Sequence, residues 1–277
     1  MQVKQVDYRS ENAGLALVES LHQTGFAVLA NSPITAERIN HFYQLWAQFF
    51  AQDDKHQWTF DQKSQDGYFP FRSENAKDSP VKDLKEFYHV YSWGRVPPEL
   101  ETQTRSFFAD LKTLGSELLK WIQAYAPESV KAHFTEALDG MIEGSEQNLL
   151  RILHYPPLAK DTEPGAVRAA AHEDINLITL LVAGSEPGLE AQDKQGDWFP
   201  VSCDTGMITV NIGDMLQEAS AGYFPSTTHR VVNPPNAANV SRYSIPMFIH
   251  PRPQVQLSER YTAGEYLQQR LKEIGLL

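Results

Sequence analysis

Three short stretches hold the residue types from which a site for a metal and an anion can be built. His172-Glu173-Asp174 offers an imidazole and a carboxylate two positions apart. On an extended strand alternate side chains share a face, so His172 and Asp174 point together while Glu173 points away. His229 comes much later, within Ser226-Thr227-Thr228-His229-Arg230-Val231-Val232. If the fold brings that segment beside the first, two imidazoles and one carboxylate complete a 2-His-1-carboxylate site for a metal ion. The third stretch is Arg242-Tyr243-Ser244. A guanidinium grips a carboxylate through two parallel hydrogen bonds, and a hydroxyl on the same face adds another. The apolar run Ile245-Pro246-Met247-Phe248-Ile249 that follows argues that Arg242 is buried, and a buried Arg requires an anionic partner. Taken singly, each residue also has an ordinary structural role: a core histidine for His172 or His229, a surface ion pair for Arg242.

The elements that must position these residues change character along the chain. Ile39, Phe42, Trp46, Phe49 and Phe50 fall at helical spacing behind a Thr35 cap. Leu100, Phe107, Leu111, Leu114, Leu118, Ile122 and Tyr125 make one apolar face of a long helix that tolerates Gly115 and stops at Pro127. Val130, Phe134, Leu138 and Met141 predict a further short helix. Beyond Asn148 the pattern turns strand-like, with expected strands at Leu149–Tyr155, Val167–His172, Leu177–Val182, Leu189–Gln192, Trp198–Val201, Met207–Ile212, Thr228–Val232 and Arg242–His250. Turn signals such as Pro156-Pro157, Pro164-Gly165, Gly213-Asp214 and Pro234-Pro235 separate them. The expected fold is therefore mainly β with packed helices: a double-stranded β-helix (jelly-roll) core over 147–252, a mostly helical N-terminal region over 1–146 and a C-terminal tail and helix over 253–277, all in one domain.

Composition narrows the function classes. The 277 residues carry 24 Lys plus Arg against 35 Asp plus Glu, a net charge of −11, which makes nucleic acid a poor partner. The single cysteine, Cys203, excludes an internal disulfide framework and a Cys-based zinc cluster, and reads as a packed or surface thiol. No apolar run approaches the roughly 20 residues of a membrane span, and the first residues lack a signal-peptide pattern, so a cytoplasmic protein without membrane attachment is expected. Asp214, after Gly213, reads as a helix cap.

In this order and spacing, His172-x-Asp174, His229 and Arg242-x-Ser244 resemble the non-haem iron(II), 2-oxoglutarate-dependent oxygenases, and more narrowly their isopenicillin N synthase-like branch. Supporting stretches are His172 to Leu181, Asn211-Ile212-Gly213-Asp214-Met215-Leu216, Thr228 to Asn233 and Arg151-Ile152-Leu153-His154-Tyr155-Pro156-Pro157, with Gly25-Phe26-Ala27-Val28 and Lys85-Glu86-Phe87-Tyr88 in the first half. The resemblance implies that His172, Asp174 and His229 bind Fe(II). It also implies that Arg242 and Ser244 hold the distal carboxylate of 2-oxoglutarate beside Tyr155, that O2 is the oxidant with ascorbate as a candidate reductant, and that the products include succinate and CO2. Leu153 departs from the pattern, standing where many plant members have an Asn that contacts the co-substrate.

The implied reaction is hydroxylation, desaturation or ring closure of a small molecule. Alternatives are an oxidase of isopenicillin N synthase type, which uses Fe(II) and O2 with the Arg-x-Ser pair on its substrate, and a non-catalytic metal-stabilised binding barrel. Strand parity from His172 back through Ala170 places Arg168 on the cavity face, where it would attract a substrate carboxylate, unless a bulge intervenes. Phe248, at the parity of Ser244, matches a family position that touches substrate. Tyr68, Phe69 and Phe71, beside Gly67, are either local packing or a rim over the cavity mouth.

Overall fold

All eight expected strands form, and their pairing explains why residues so far apart in sequence meet. The computed structural model describes residues 2–73, 83–157, 168–182, 184, 188–232 and 239–273. Four strands come from the first half: β1 (Gln5–Asp7), β2 (Phe26–Ala30), β3 (Gly67–Phe69) and β4 (Glu86–Val90). The second half adds β5 (Leu149–Tyr155), β6 (Ala169–His172), β7 (Ile178–Val182), β8 (Leu189–Gln192), β9 (Trp198–Pro200), β10 (Ile208–Ile212), β11 (His229–Val231) and β12 (Arg242–Ile249). They make two sheets, an eight-stranded one in the order β1-β2-β10-β7-β12-β5-β4-β3 and a four-stranded one in the order β6-β11-β8-β9. The second-half strands divide four and four between the sheets, the arrangement of a jelly roll.

The first half is less purely helical than expected. Its helices are α1 (Ala13–Thr24), α2 (Ala36–Ala51) and α3 (Pro98–Tyr125), with Thr35 capping α2 through the Arg38 N–H at 3.3 Å. Its four strands extend both edges of the larger sheet. Two of them escape pattern reading for different reasons: β2 is apolar and buried at every position, and β4, also buried throughout, carries Glu86 and His89, which look solvated in the sequence. Helices α1 to α3 cover the outer face of that sheet, where Leu150, Ile152, Leu180, Val210, Ile245 and Met247 pack against Leu17, Leu21, Trp46, Leu111 and Leu118. Gly115 lets α3 approach closely: a Cβ there would lie 3.0 Å from the Ile249 side chain.

The single helix expected over Val130 to Met141 is two short ones, α4 (Glu128–Lys131) and α5 (Leu138–Met141). Between them the Thr135 hydroxyl donates to the Gln256 carbonyl at 2.6 Å and Glu136 pairs with Arg252, which draws the chain out of helical geometry. A 3-10 helix spans Asp53–Trp58, and two further helices, α6 (Asp214–Ala219) and α7 (Ala263–Glu273), lie in the second half. Among the described residues no helix is long and apolar enough to cross a membrane. The inner faces of the two sheets meet through Phe26, Val28, Ala169, Leu189, Ala191 and Val231, and the site opens beside that small core.

Candidate metal centre and anion clamp

The two histidines are brought together by one pairing. Strand β11 runs antiparallel to β6 with His229 directly opposite His172, and the ring centroids are 4.4 Å apart. Asp174 completes the group from the loop just beyond β6, so strand parity is not what aims it inward. Instead the backbone N–H of Asp214, at the start of α6, donates to the Asp174 carbonyl at 2.7 Å. Asp174 is buried and Glu173 exposed, as expected for the pair. Asp214 is thus the first residue of α6 rather than its cap; Gly213 holds the cap position, and the Asp214 carboxylate pairs with Arg270 on α7 at 3.2 Å.

His172 Nε2 and His229 Nε2 lie 3.9 and 3.8 Å from Asp174 Oδ1, and one donor atom from each residue falls within 4.8 Å of the others. Every other polar atom of the three side chains is committed elsewhere. His172 Nδ1 donates to the Ala170 carbonyl at 2.8 Å and His229 Nδ1 to the Thr227 carbonyl at 3.0 Å, which leaves each Nε2 lone pair facing the gap. Asp174 Oδ2 accepts from the Thr179 hydroxyl at 2.6 Å and from Asn211 Nδ2 at 2.8 Å, leaving Oδ1. The neighbouring strands β7 and β10 supply those two donors, and neither residue stands out in the sequence as part of the site. The motif signal that could have found Asn211 is Asn211-Ile212-Gly213-Asp214 itself, in which Asn211 steadies the carboxylate.

The protonation states suit a cation. Burial raises the Asp174 carboxyl, but the facing His229 and His172 and the bonds from Thr179 and Asn211 outweigh it and hold it below the usual carboxylate range. The His172 imidazole, although it exposes 41% of its side chain into the cleft, is pushed down to about 4 by desolvation and by His229, so it is a neutral ligand at pH 7. Two imidazole nitrogens and one carboxylate oxygen, all without competing hydrogen bonds, are a donor set that fits Fe(II).

A cavity of about 560 Å³, counting its open mouth, lies in front of these atoms. Its apolar lining includes Phe26, Leu153, Leu181, Leu189, Pro246 and Phe248, and its polar lining includes Tyr155 and Ser244. Arg242 pairs with Tyr155, and Ser244 with Leu153, across β12 and β5, so the expected clamp lies level with two cavity-lining residues. Arg242 and Ser244 are both buried, with the less buried Tyr243 between them. Gly188 makes room for the guanidinium: its φ is +133°, and a Cβ would lie 2.7 Å from Arg242 Nη1 and 2.3 Å from the Val232 carbonyl. Burial drives the Tyr155 hydroxyl upward despite the Lys85 and Arg242 charges, so it remains a neutral donor. Leu153, the departure from the plant pattern, is part of the wall and offers no polar atom.

Arg168 requires a correction. The β6–β11 register shifts between its two paired positions: Ala169 sits opposite Val231 and His172 opposite His229, three residues against two. That bulge breaks the alternation, so Ala169 and His172 line the cavity and Arg168 does not. The Arg168 guanidinium sits 5.7 Å from the Tyr155 ring centre and reaches the Tyr155 carbonyl in a long 3.4 Å contact. The expected Pro164-Gly165 turn lies outside the described residues. Phe248 does line the cavity. The aromatic trio splits: Phe69 stacks between Phe60 and Phe87, Tyr68 is buried on the other face, and Phe71 is exposed.

Comparison with known proteins agrees with this geometry. Residues 146–251 match the 2OG-Fe(II) oxygenase superfamily, and residues 5–109 match the N-terminal region of non-haem dioxygenases in morphine synthesis. A Shewanella oneidensis protein assigned as an oxygenase is 50% identical, with a TM-score of 0.92 over all of both chains. A Caulobacter crescentus protein assigned to the 2OG-Fe(II) oxygenase family is 32% identical, with a TM-score of 0.83 over 98% of this chain and 99% of that one. The chain belongs to the 2OG-Fe(II) oxygenase superfamily. A full-length Neurospora crassa protein, solved in complex with α-ketoglutarate, is 25% identical to this oxygenase, with a TM-score of 0.81 over 97% and 95% of the two chains. The 2-oxoglutarate-dependent dioxygenase citB of Monascus ruber is 27% identical over 81% of this oxygenase and 74% of its own length.

Proposed function

We propose that His172, Asp174 and His229 hold the Fe(II) of this dioxygenase, that Arg242 and Ser244 receive the distal carboxylate of 2-oxoglutarate beside Tyr155, and that Phe248 walls the substrate space. The enzyme performs Fe(II)- and 2-oxoglutarate-dependent oxidation of a small molecule, as its family does. The observation that carries the assignment of ligands is the set of three donor atoms gathered within 4.8 Å, each with its remaining polar atoms bound elsewhere. The oxidase alternative is disfavoured because named relatives are 2-oxoglutarate-dependent and the Neurospora crassa structure carries α-ketoglutarate; a binding barrel is disfavoured by the same membership.

When bound, the metal and 2-oxoglutarate supply the oxidising chemistry, in which O2 is reduced as the oxoacid loses CO2 and a substrate C–H bond is oxidised. The chain's own residues prepare that chemistry. Asp174 contributes the one negative charge of the donor set, and Thr179 and Asn211 prevent it from turning away. His172 stays unprotonated across the physiological range. The planar Arg242 fork gives direction as well as charge to the far carboxylate, and Tyr155 keeps its proton so that it can only donate to an anion. The apolar lining keeps water from competing with substrate.

Anaerobic titration of the Fe(II)-loaded protein with 2-oxoglutarate tests the assignment. A chelated 2-oxoacid gives a visible charge-transfer absorption. It should appear in the wild type, require Asp174, and need far more 2-oxoglutarate in Arg242→Lys. An unchanged titration in Arg242→Lys would move the Arg-x-Ser pair to the substrate.

A further inference from the structure

Among the described residues two cations line the cavity outside the groups assigned above. Lys85 and Arg151 both face it from the β4–β5 side. Lys85 pairs with buried Asp83 at 2.8 Å. Arg151 is oriented by an imidazole. Its Nε–H donates to His89 Nε2 at 2.8 Å, which makes that nitrogen an acceptor and puts the His89 proton on Nδ1, facing the Gln65 carbonyl at 2.9 Å. The Arg151 Cζ lies 4.8 Å from the Phe87 ring centre and 5.6 Å from that of Phe248. Phe87 in turn stacks on Phe69, and Phe69 on Phe60, so Arg151 caps a fixed column of rings.

We propose that Arg151 is the substrate-recognition cation of this oxygenase and that the substrate is a small carboxylate with an apolar or aromatic body. The inference rests on the Fe(II)/2-oxoglutarate reading, because it assumes that Arg242 and Ser244 are occupied by the co-substrate. Arg151 lies two residues from Leu153 on β5, and Leu153 pairs with Ser244. One same-face step along a strand is about 7 Å, so Arg151 stands apart from the clamp and toward Phe248. In a chain of net charge −11, this wall places the Arg151 guanidinium on an apolar concave site, which favours an anionic group there. A carboxylate seated on Arg151 lays the adjoining carbons along Phe248, the ring between that cation and the Thr179–Asn211 pair behind Asp174. The carboxylate recognition that strand alternation gave to Arg168 thus belongs to Arg151, which projects from a regular strand with no bulge.

Isothermal titration of the Mn(II)- and 2-oxoglutarate-loaded protein tests this without turnover. The probes are phenylacetate, 3-phenylpropionate and hexanoate, each paired with its amide. At least one carboxylate should bind the wild type at least tenfold more tightly than its amide. Arg151→Gln should remove that preference, Arg151→Lys should restore part of it, and neither should shift 2-oxoglutarate affinity beyond twofold. Equal binding of acids and amides, binding of no carboxylate by the wild type, or a large loss of 2-oxoglutarate affinity in Arg151→Gln would each overturn the proposal. Failure of the wild type to bind 2-oxoglutarate in the first titration would instead overturn the reading beneath it.

Discussion

Replacing Thr179 by Val removes one hydroxyl from behind the metal site and leaves the side-chain shape nearly unchanged. Thr179 is 2% exposed, and its Oγ1–H donates to Asp174 Oδ2 at 2.6 Å while Asn176 Nδ2 donates to the same hydroxyl at 3.0 Å. Asn176 keeps its second bond to the Ile178 carbonyl at 2.7 Å, so the substitution strands little else. A hydrogen bond to a charged group contributes about 1.5–3 kcal/mol. The Asp174 carboxylate then becomes more basic and loses its orienting partner on one side. Metal affinity should fall about 10- to 100-fold, the range found when groups that hold metal ligands are removed. Thr179→Ser, which keeps the hydroxyl, should bind metal nearly as the wild type does. The assay is a competitive titration of chelator-treated protein with Co(II) at pH 7, alongside thermal unfolding. Wild-type affinity in a folded Thr179→Val protein would refute the reasoning that this bond holds Asp174 in place.

Ser244→Ala should weaken 2-oxoglutarate binding by about 10- to 100-fold at most, the loss of one hydrogen bond to a charged group, and Arg242→Lys should weaken it more because the planar fork is lost; direct titration of the Mn(II) form ranks the two. Gly188→Ala should lower the melting temperature and weaken 2-oxoglutarate binding together, since its φ of +133° disfavours a side chain and the new Cβ meets both the Val232 carbonyl and Arg242. Burial pushes both His172 and His250 down to about 4 in the folded protein, whereas an unfolded His titrates near 6.5. The unfolded chain therefore binds more protons between those values, so metal-free protein should be fully stable above about pH 6.5 and lose stability as pH falls toward 4. Melting curves of chelator-treated protein between pH 7.5 and 5 should show that slope, and His250→Gln should flatten it.

The candidate metal ligands are legible in the sequence because the chemistry restricts their types: His172, Asp174 and His229 stand out as an imidazole, carboxylate and imidazole on segments that a jelly roll brings together. Strand parity does not account for Asp174, which lies beyond the end of β6. A backbone bond from Asp214 and side-chain bonds from Thr179 and Asn211 aim it, and such long-range bonds leave no local periodicity. Arg168 was misplaced because a one-residue bulge cannot be seen in Arg168-Ala169-Ala170-Ala171-His172, where three alanines suit either face. Strand β4 went unrecognised because Lys85, Glu86 and His89 look like a solvated segment. In the fold they are buried polar residues with partners: Asp83 for Lys85, Arg151 for His89, and Tyr68, His154 and Lys55 for Glu86. With that strand unrecognised, Arg151 had no visible cavity to face.

Turnover of carboxyl-labelled 2-oxoglutarate by the purified protein under O2 with Fe(II) and ascorbate tests the central claim most directly. Wild-type protein should release labelled CO2 and form succinate in equal amounts, slowly even with no substrate added. His172→Ala, Asp174→Ala and His229→Ala should each abolish that release while circular dichroism shows the fold retained. Oxygen uptake without CO2 release, or CO2 release undiminished in folded Asp174→Ala, would contradict the account.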